Sequence, residues 1–404
     1  MKIIHTADLH LGQVLYQNYD RVDEHDAFFR QLKDWCRAER PDALLVSGDV
    51  FDIQQPSAST KKAFNDYFVD LHRCCPEMHI IITAGNHDSA SRIQADRSVW
   101  RLGPVHLVGL APATSVLGGE DGWQDEYIVP LEQGFVVAMP FMTGDRHEVL
   151  QSVLDRVAML NREQKPVVMM GHQAVTGMDA LGHAIEVGRL MTQDVDTLGK
   201  GYDYLALGHI HKPQTLGHQQ DAMLEEVAYP SPVARYSGSA LHVSCDEKYP
   251  HTVSLVEIDH HGGDVKIRQL RIQESRHFYE LPEVGAFHDE QEALDAVQQF
   301  VEKGRGYLRL KFDYHASVSS QFNQKVYDLM VGKEDRVRYN PKIVWDGQPD
   351  TPDMEEDKPI FQVAELQQMS DPMDFIERTI DQYPDLNIEE LRKAFVEIEE
   401  EVEL

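Results

Sequence analysis

A chain of 404 residues, 42% hydrophobic and 8% aromatic, is long enough for one large core and at least one smaller folded unit. Its 68 acidic against 38 basic residues give a formal net charge of -30, the opposite of the footprint of a protein that binds nucleic acid alone. No window approaches the roughly 18 uninterrupted apolar residues of a membrane span. The first residues lack the apolar run of a secretory signal. Cys36, Cys74, Cys75 and Cys245 are too few to staple the chain and lack metal-site spacing, so a cytoplasmic protein without membrane contact is expected.

From the N-terminus to about residue 275, short apolar or β-branched runs alternate with helical patterns, as a layered α/β domain does. Lys2–Thr6, Ala43–Ser47, His79–Thr83, Val136–Met139, Pro166–Gly171 and Tyr204–Gly208 are predicted to be buried strands. Phe28, Leu32, Trp35 and Cys36, then Val149, Val153, Val157 and Leu160, recur at helical spacing. After Pro213, Ala240–Ser244, Thr252–Ile258 and Val265–Ile272 are predicted to be antiparallel strands.

From Arg276 to Trp345 the order strand, helix, strand, helix, strand predicts a small α+β domain over 276–345, with helices at Glu290–Glu302 and Gln321–Val331. Gly347–Pro359 holds three prolines and five acidic residues, so 346–360 is expected to be a linker. Residues 361–404 are predicted to form a helix pair. Asp371-Pro372 opens one helix, and Asn387 with Glu390 caps the other. Ile388, Leu391, Phe395, Ile398 and Val402 form a coiled-coil type seam, which points to a docked partner because so short a pair has little core of its own. Asp346 to Leu404 carries 19 acidic and 4 basic residues, a balance of -15, so half the net charge sits in this tail.

Chemistry gathers at the strand ends: Asp8-Leu9-His10, Gly48-Asp49-Val50-Phe51-Asp52, Gly85-Asn86-His87-Asp88, Gly171-His172 and Gly208-His209-Ile210-His211. Carboxyl ends of strands are where α/β sheets collect ligands, so residues distant in sequence can meet at one rim. Carboxylate, imidazole and amide without thiolate suit Mn²⁺ or Fe²⁺, with Zn²⁺ also accommodated, and are too nitrogen-rich for Ca²⁺. His25, His72, His106, His183, His218 and the pair Cys74-Cys75 are assigned ordinary surface or core roles.

These five motifs, in this order, resemble the calcineurin-like metallophosphoesterase superfamily. The resemblance implies an α/β fold in which a β-sandwich is flanked by helices in four layers, α/β/β/α. It implies that Asp8, His10 and His211 bind one metal, that Asn86, His172 and His209 bind a second, and that Asp49 bridges both. A carboxylate between two cations supplies the anionic charge they need. The implied reaction is attack of a metal-activated water on a phosphoester. His87 is the candidate proton donor to the leaving group, with Asp52 and Asp88 as groups that orient it or the ligands.

The run Ile4-His5-Thr6-Ala7-Asp8-Leu9-His10-Leu11-Gly12, the stretch Gly48–Asp52 and Gly208-His209-Ile210-His211-Lys212-Pro213-Gln214 resemble the SbcD family of nuclease subunits. Tyr236-Ser237-Gly238-Ser239 followed by Cys245-Asp246-Glu247-Lys248 resembles that family's strand and loop after the last motif. The family implies two Mn²⁺ ions and nuclease action on DNA duplex ends, hairpins and single strands in repair and recombination. It implies a nuclease domain over 1–275, a DNA-capping domain over 276–345 and docking of an SbcC-like coiled-coil ATPase by the C-terminal helices. A homodimer within a heterotetramer is implied too. Such a partner would supply DNA-binding surface and so answer the acidic charge. Set against this are a phosphoprotein phosphatase or cyclic-nucleotide phosphodiesterase of the same superfamily, which need no docking helices, and a non-catalytic scaffold, which needs no complete ligand set.

Overall fold

A computed structural model of the chain describes residues 1–16, 19–118, 122–179, 192–218, 226–243 and 246–347. The linker from residue 348 and the C-terminal helix pair expected over 361–404, like His183, lie outside the described residues. Two sheets stack face to face. One has seven strands in the order Val227–Tyr229, Val265–Arg271, Thr252–Ile258, Lys2–Thr6, Ala43–Ser47, His79–Thr83 and Val105–Val108. The other has six, ordered Gln214–Thr215, Val233–Tyr236, Tyr204–Gly208, Val167–His172, Phe135–Ala138 and Ile128–Pro130.

Alternation along the strands sets the layers. Ile3, Ala43, Leu45 and Ile81 face the six-stranded sheet and share a core with Val137, Met169 and Leu205. Their neighbours Ile4, Leu44, Val46 and Ile80 face outward and are covered by Phe28 and Leu32 of α1 (Val22–Glu39) and Phe64 and Phe68 of α2 (Ala58–Cys74). To this layer α3 (Ala90–Trp100) adds Ile93 and the partly buried Trp100, while α4 (His147–Leu160) covers the six-stranded sheet with Leu150, Val153 and Val157. The result is the α/β/β/α sandwich expected. Among the described residues no helix is long and apolar enough to cross a membrane.

One expectation changes. Ala240–Val243 is not a strand: Ala240 and Leu241 are buried, but the N–H of Ala240 goes to the Asp8 carbonyl and that of Val243 to the Glu247 carboxylate, so no ladder forms. Apolar content alone mimicked a strand where loop hydrogen bonds satisfy the backbone. Thr252–Ile258 and Val265–Arg271 do pair antiparallel, as expected, while Val233–Tyr236, which was not foreseen as a strand, runs parallel to Tyr204–Gly208.

Beyond Arg271 a second core forms. Its axis is the long strand Gly306–Ser317, paired in parallel with His277–Leu281, Phe287–Asp289, Val337–Tyr339 and Val344–Asp346. Helices α5 (Glu290–Lys303) and α6 (Phe322–Met330) lay Val297, Val301, Phe322 and Val326 on it. Buried charge joins the two cores. Arg21 pairs with Glu24 at 2.7 Å; the Tyr307 hydroxyl donates to Glu24, and the Arg338 guanidinium lies 3.3 Å from the same carboxylate. Beside them Arg276 reaches Asp23 at 2.7 Å. Glu24 and Arg21 are almost wholly removed from water, so each charge depends on its partner. Glu24→Ala should destabilise the chain by about 3–5 kcal/mol, read from denaturant unfolding, because it leaves the buried Arg21 guanidinium without its carboxylate.

Candidate metal centre

The sandwich brings the parallel strand ends of both sheets to one rim. Lys2–Thr6 delivers Asp8 and His10, Ala43–Ser47 delivers Asp49, His79–Thr83 delivers Asn86, Val167–His172 ends on His172, and Tyr204–Gly208 delivers His209 and His211. The turns that aim these side chains use unusual backbone. Asp8, His10, Asp49 and His209 all have positive φ, at 51, 45, 48 and 93°. For residues with a side chain this conformation costs on the order of 1–3 kcal/mol each, and it gathers where function demands a fixed geometry. Gly48, at φ +83°, leaves room for the centre: a Cβ there would lie 2.2 Å from His172 Nδ1.

Two groups of donors result. Asp8, His10 and His211, all buried, place one ligand atom each within 4.8 Å of one another, and so do Asp49, His172 and His209. Asn86 Oδ1 lies 3.0 Å from both His172 Nε2 and His209 Nδ1, which adds it to the second group. Asp49 Oδ2 is 3.2 Å from His172 Nε2 and 3.9 Å from His10 Nε2, so one oxygen stands between the groups. His10 Nε2 is buried without a hydrogen-bond partner. The orphaned His10 nitrogen beside carboxylate fits a cation at the first group, and the donor sets of both groups support two divalent ions.

The electrostatics agree. Burial opposes the charge on Asp49, yet His172 beside it holds the carboxyl well below the usual range. Burial likewise opposes protonation of His172, but Asp49 outweighs it and holds the imidazole up at about 9. Burial pushes Asp8 up to about 7 and His211 down to about 3. A cation held by these groups would take the place of the proton on His172.

Each remaining candidate has a definite place. His87 is half-buried; its backbone N–H donates to Asp49 Oδ1 at 2.9 Å, its ring Nδ1 lies 2.9 Å from the Asp52 carbonyl, and its ring stands edge-on to His10. The Asp52 carboxylate is 3.2 Å from His10 Nδ1. Asp88 touches no ligand side chain among its hydrogen bonds and instead accepts the backbone N–H groups of Val50, Phe51 and Gly85, pinning two ligand loops together. His25 is a core group bonded to the Leu9 and Arg21 carbonyls, and His106 stacks on His79 away from the centre. Glu247, which lay in the segment that resembles the family's loop after the last motif but was given no role of its own, is buried with Oε1 2.9 Å from His211 Nδ1. Nothing in Asp246-Glu247-Lys248 distinguishes it from a solvated charged turn. Phe141, also missed, sets its ring edge-on to His172 with centroids 6.2 Å apart.

Residues 1–213 match the family described as calcineurin-like phosphoesterase. The chain is similar to the SbcD subunit of the SbcCD nuclease of Rhodobacter capsulatus, 30% identical over 288 residues, covering 64% of this chain and 66% of that one. It is similar to the protein of the same name in Escherichia coli K12, 28% identical over 277 residues, covering 63% and 65%. The DNA double-strand break repair protein Mre11 of Archaeoglobus fulgidus is 27% identical over 242 residues, covering 58% and 51%. The matches with the two SbcCD relatives thus span just under two thirds of those relatives' length.

Gly48→Ala should force His172 aside and weaken binding of the cation it serves by about 10-fold or more, the usual effect of disturbing a ligand's support. Isothermal titration with Mn²⁺ would measure it, and binding equal to the unaltered chain would contradict the packing described.

Proposed function

Because the chain belongs to the calcineurin-like phosphoesterase family, we propose that it is the Mn²⁺-dependent nuclease subunit of a DNA-processing complex, cleaving duplex ends, hairpins and single strands. The observation that carries this reading is the single Asp49 oxygen between two three-residue donor groups at the strand ends. Asp8, His10 and His211 would hold one cation, and Asn86, His172 and His209 the other, with Asp49 shared. When bound, two such ions supply Lewis-acid charge to a phosphoryl group and a nucleophilic water at neutral pH. Mn²⁺ suits mixed oxygen and imidazole donors without thiolate.

The chain's own residues supply orientation and a proton. With Nδ1–H donated to the Asp52 carbonyl, His87 would present Nε2 as the atom from which a proton reaches the leaving alkoxide. The Asp52 carboxylate steadies His10, and Asp88 holds the loops of Asp49 and Asn86 at a fixed separation.

DNA as substrate is supported by similarity to proteins named as a subunit of the SbcCD nuclease and as a DNA double-strand break repair protein. Residues 276–345 would cap the substrate, and 361–404 would grip an SbcC-like coiled-coil ATPase, with two copies of each subunit. The balance of -15 over Asp346–Leu404 would then meet a basic face of that partner, which also supplies DNA-binding surface.

With Mn²⁺ the purified chain should cut labelled hairpin and duplex DNA, a chelator should abolish cleavage, and His87→Ala should lower kcat by about 100-fold or more. Hydrolysis of a small aryl phosphodiester but never of DNA, even with the ATPase present, would sink the nuclease reading. Removal of residues 346–404 should end co-purification with the ATPase, and undiminished co-purification would refute the docking role.

A further inference from the structure

We infer that Glu247 is a positioning residue for His211, holding the imidazole so that Nε2 faces the cation; this rests on the two-metal reading above. Glu247 sits in the loop between the strands Val233–Tyr236 and Thr252–Ile258 and is 2% exposed. Its carboxylate is held from three sides. Oε1 is 2.9 Å from His211 Nδ1, while Oε2 accepts the Val243 N–H at 2.9 Å and lies 3.4 Å from His251 Nε2. A buried carboxylate so placed receives the Nδ1 proton of His211, leaves Nε2 as the donor and strengthens it. The other imidazole ligands are supported differently. His172 Nδ1 lies 2.8 Å from the Ser47 carbonyl, and His10 Nδ1 faces the partly exposed Asp52.

The loop is braced from the second core as well. His251 lies 2.9 Å from the Ser239 carbonyl, and its ring packs on His242 with centroids 4.0 Å apart. His242 in turn meets Phe278 at 5.1 Å, and Phe278 stacks on Tyr307 at 4.6 Å with the planes within 16°. Phe278 and Tyr307 belong to the small domain, so a column of rings runs from it to the carboxylate that steadies a ligand.

The test is a double-mutant cycle read by Mn²⁺ titration and metal stoichiometry, using full-length Glu247→Gln, His211→Ala and the double variant. Glu247→Gln keeps the size while removing the charge and one of the two acceptor oxygens, and should weaken one of two cations by about 10- to 100-fold. In the His211→Ala background the same change should have no further effect, because a residue acting through His211 has nothing left to act on. Zn²⁺-loaded protein should also show the His211 Nδ1–H resonance by NMR and lose or shift it in Glu247→Gln. Wild-type affinity for both cations in Glu247→Gln, or losses that add across the cycle, would overturn the assignment. Failure of the unaltered chain to bind two cations would instead overturn the two-metal reading itself.

Discussion

The Asp49 carboxylate is the constraint on which the rest of the structure turns. It is 2% exposed and stands where the two sheets meet, so the protein must keep an anion out of water. Such burial is tolerable only with compensating charge and hydrogen bonds. His172 Nε2 lies 3.2 Å from it, and the His87 backbone N–H supplies a bond. Both are carried by different strands, one from each sheet, so stabilising this carboxylate requires the sandwich to close in one register.

The same logic recurs at the junction between the cores. Arg21, Glu24, Tyr307 and Arg338 form a buried set whose members come from α1 and its N-terminal cap and from the small domain. Apolar contact would join the cores without specifying an angle. Directional bonds among fixed charges specify one arrangement, and the ring column from Tyr307 to His251 extends it toward the centre.

Much of this was legible in the sequence, for reasons that differ by residue. Asp8, Asp49, Asn86, His172, His209 and His211 each follow a short buried run, and such a run ending in a polar residue is a local signal. A layered α/β domain could be read from the same runs alternating with helical stripes, whereas the α/β/β/α sandwich came only from the family resemblance. Ala240–Val243 misled because burial is visible in composition while the destination of its N–H groups is not. Helices α2 and α3 went unread: α3 buries only Ile93, so no stripe marks it. Glu247 was illegible because its burial is created by strands distant in sequence. The parallel pairing of Val233–Tyr236 likewise depends on which neighbour the fold makes available.

The register of the central strand also has a consequence in time. Lys2–Thr6 lies between Ala43–Ser47 on one side and Thr252–Ile258 on the other. During synthesis the first partner emerges early, but the second must wait for more than two hundred further residues, and Asp8 must likewise wait for His211. A nascent chain therefore carries half a sheet with an open hydrogen-bonding edge and a half-assembled set of ligands until late in translation. Such an edge invites wrong pairing. Much of that wait is a matter of topology, which no improvement in local helix or strand propensity would shorten.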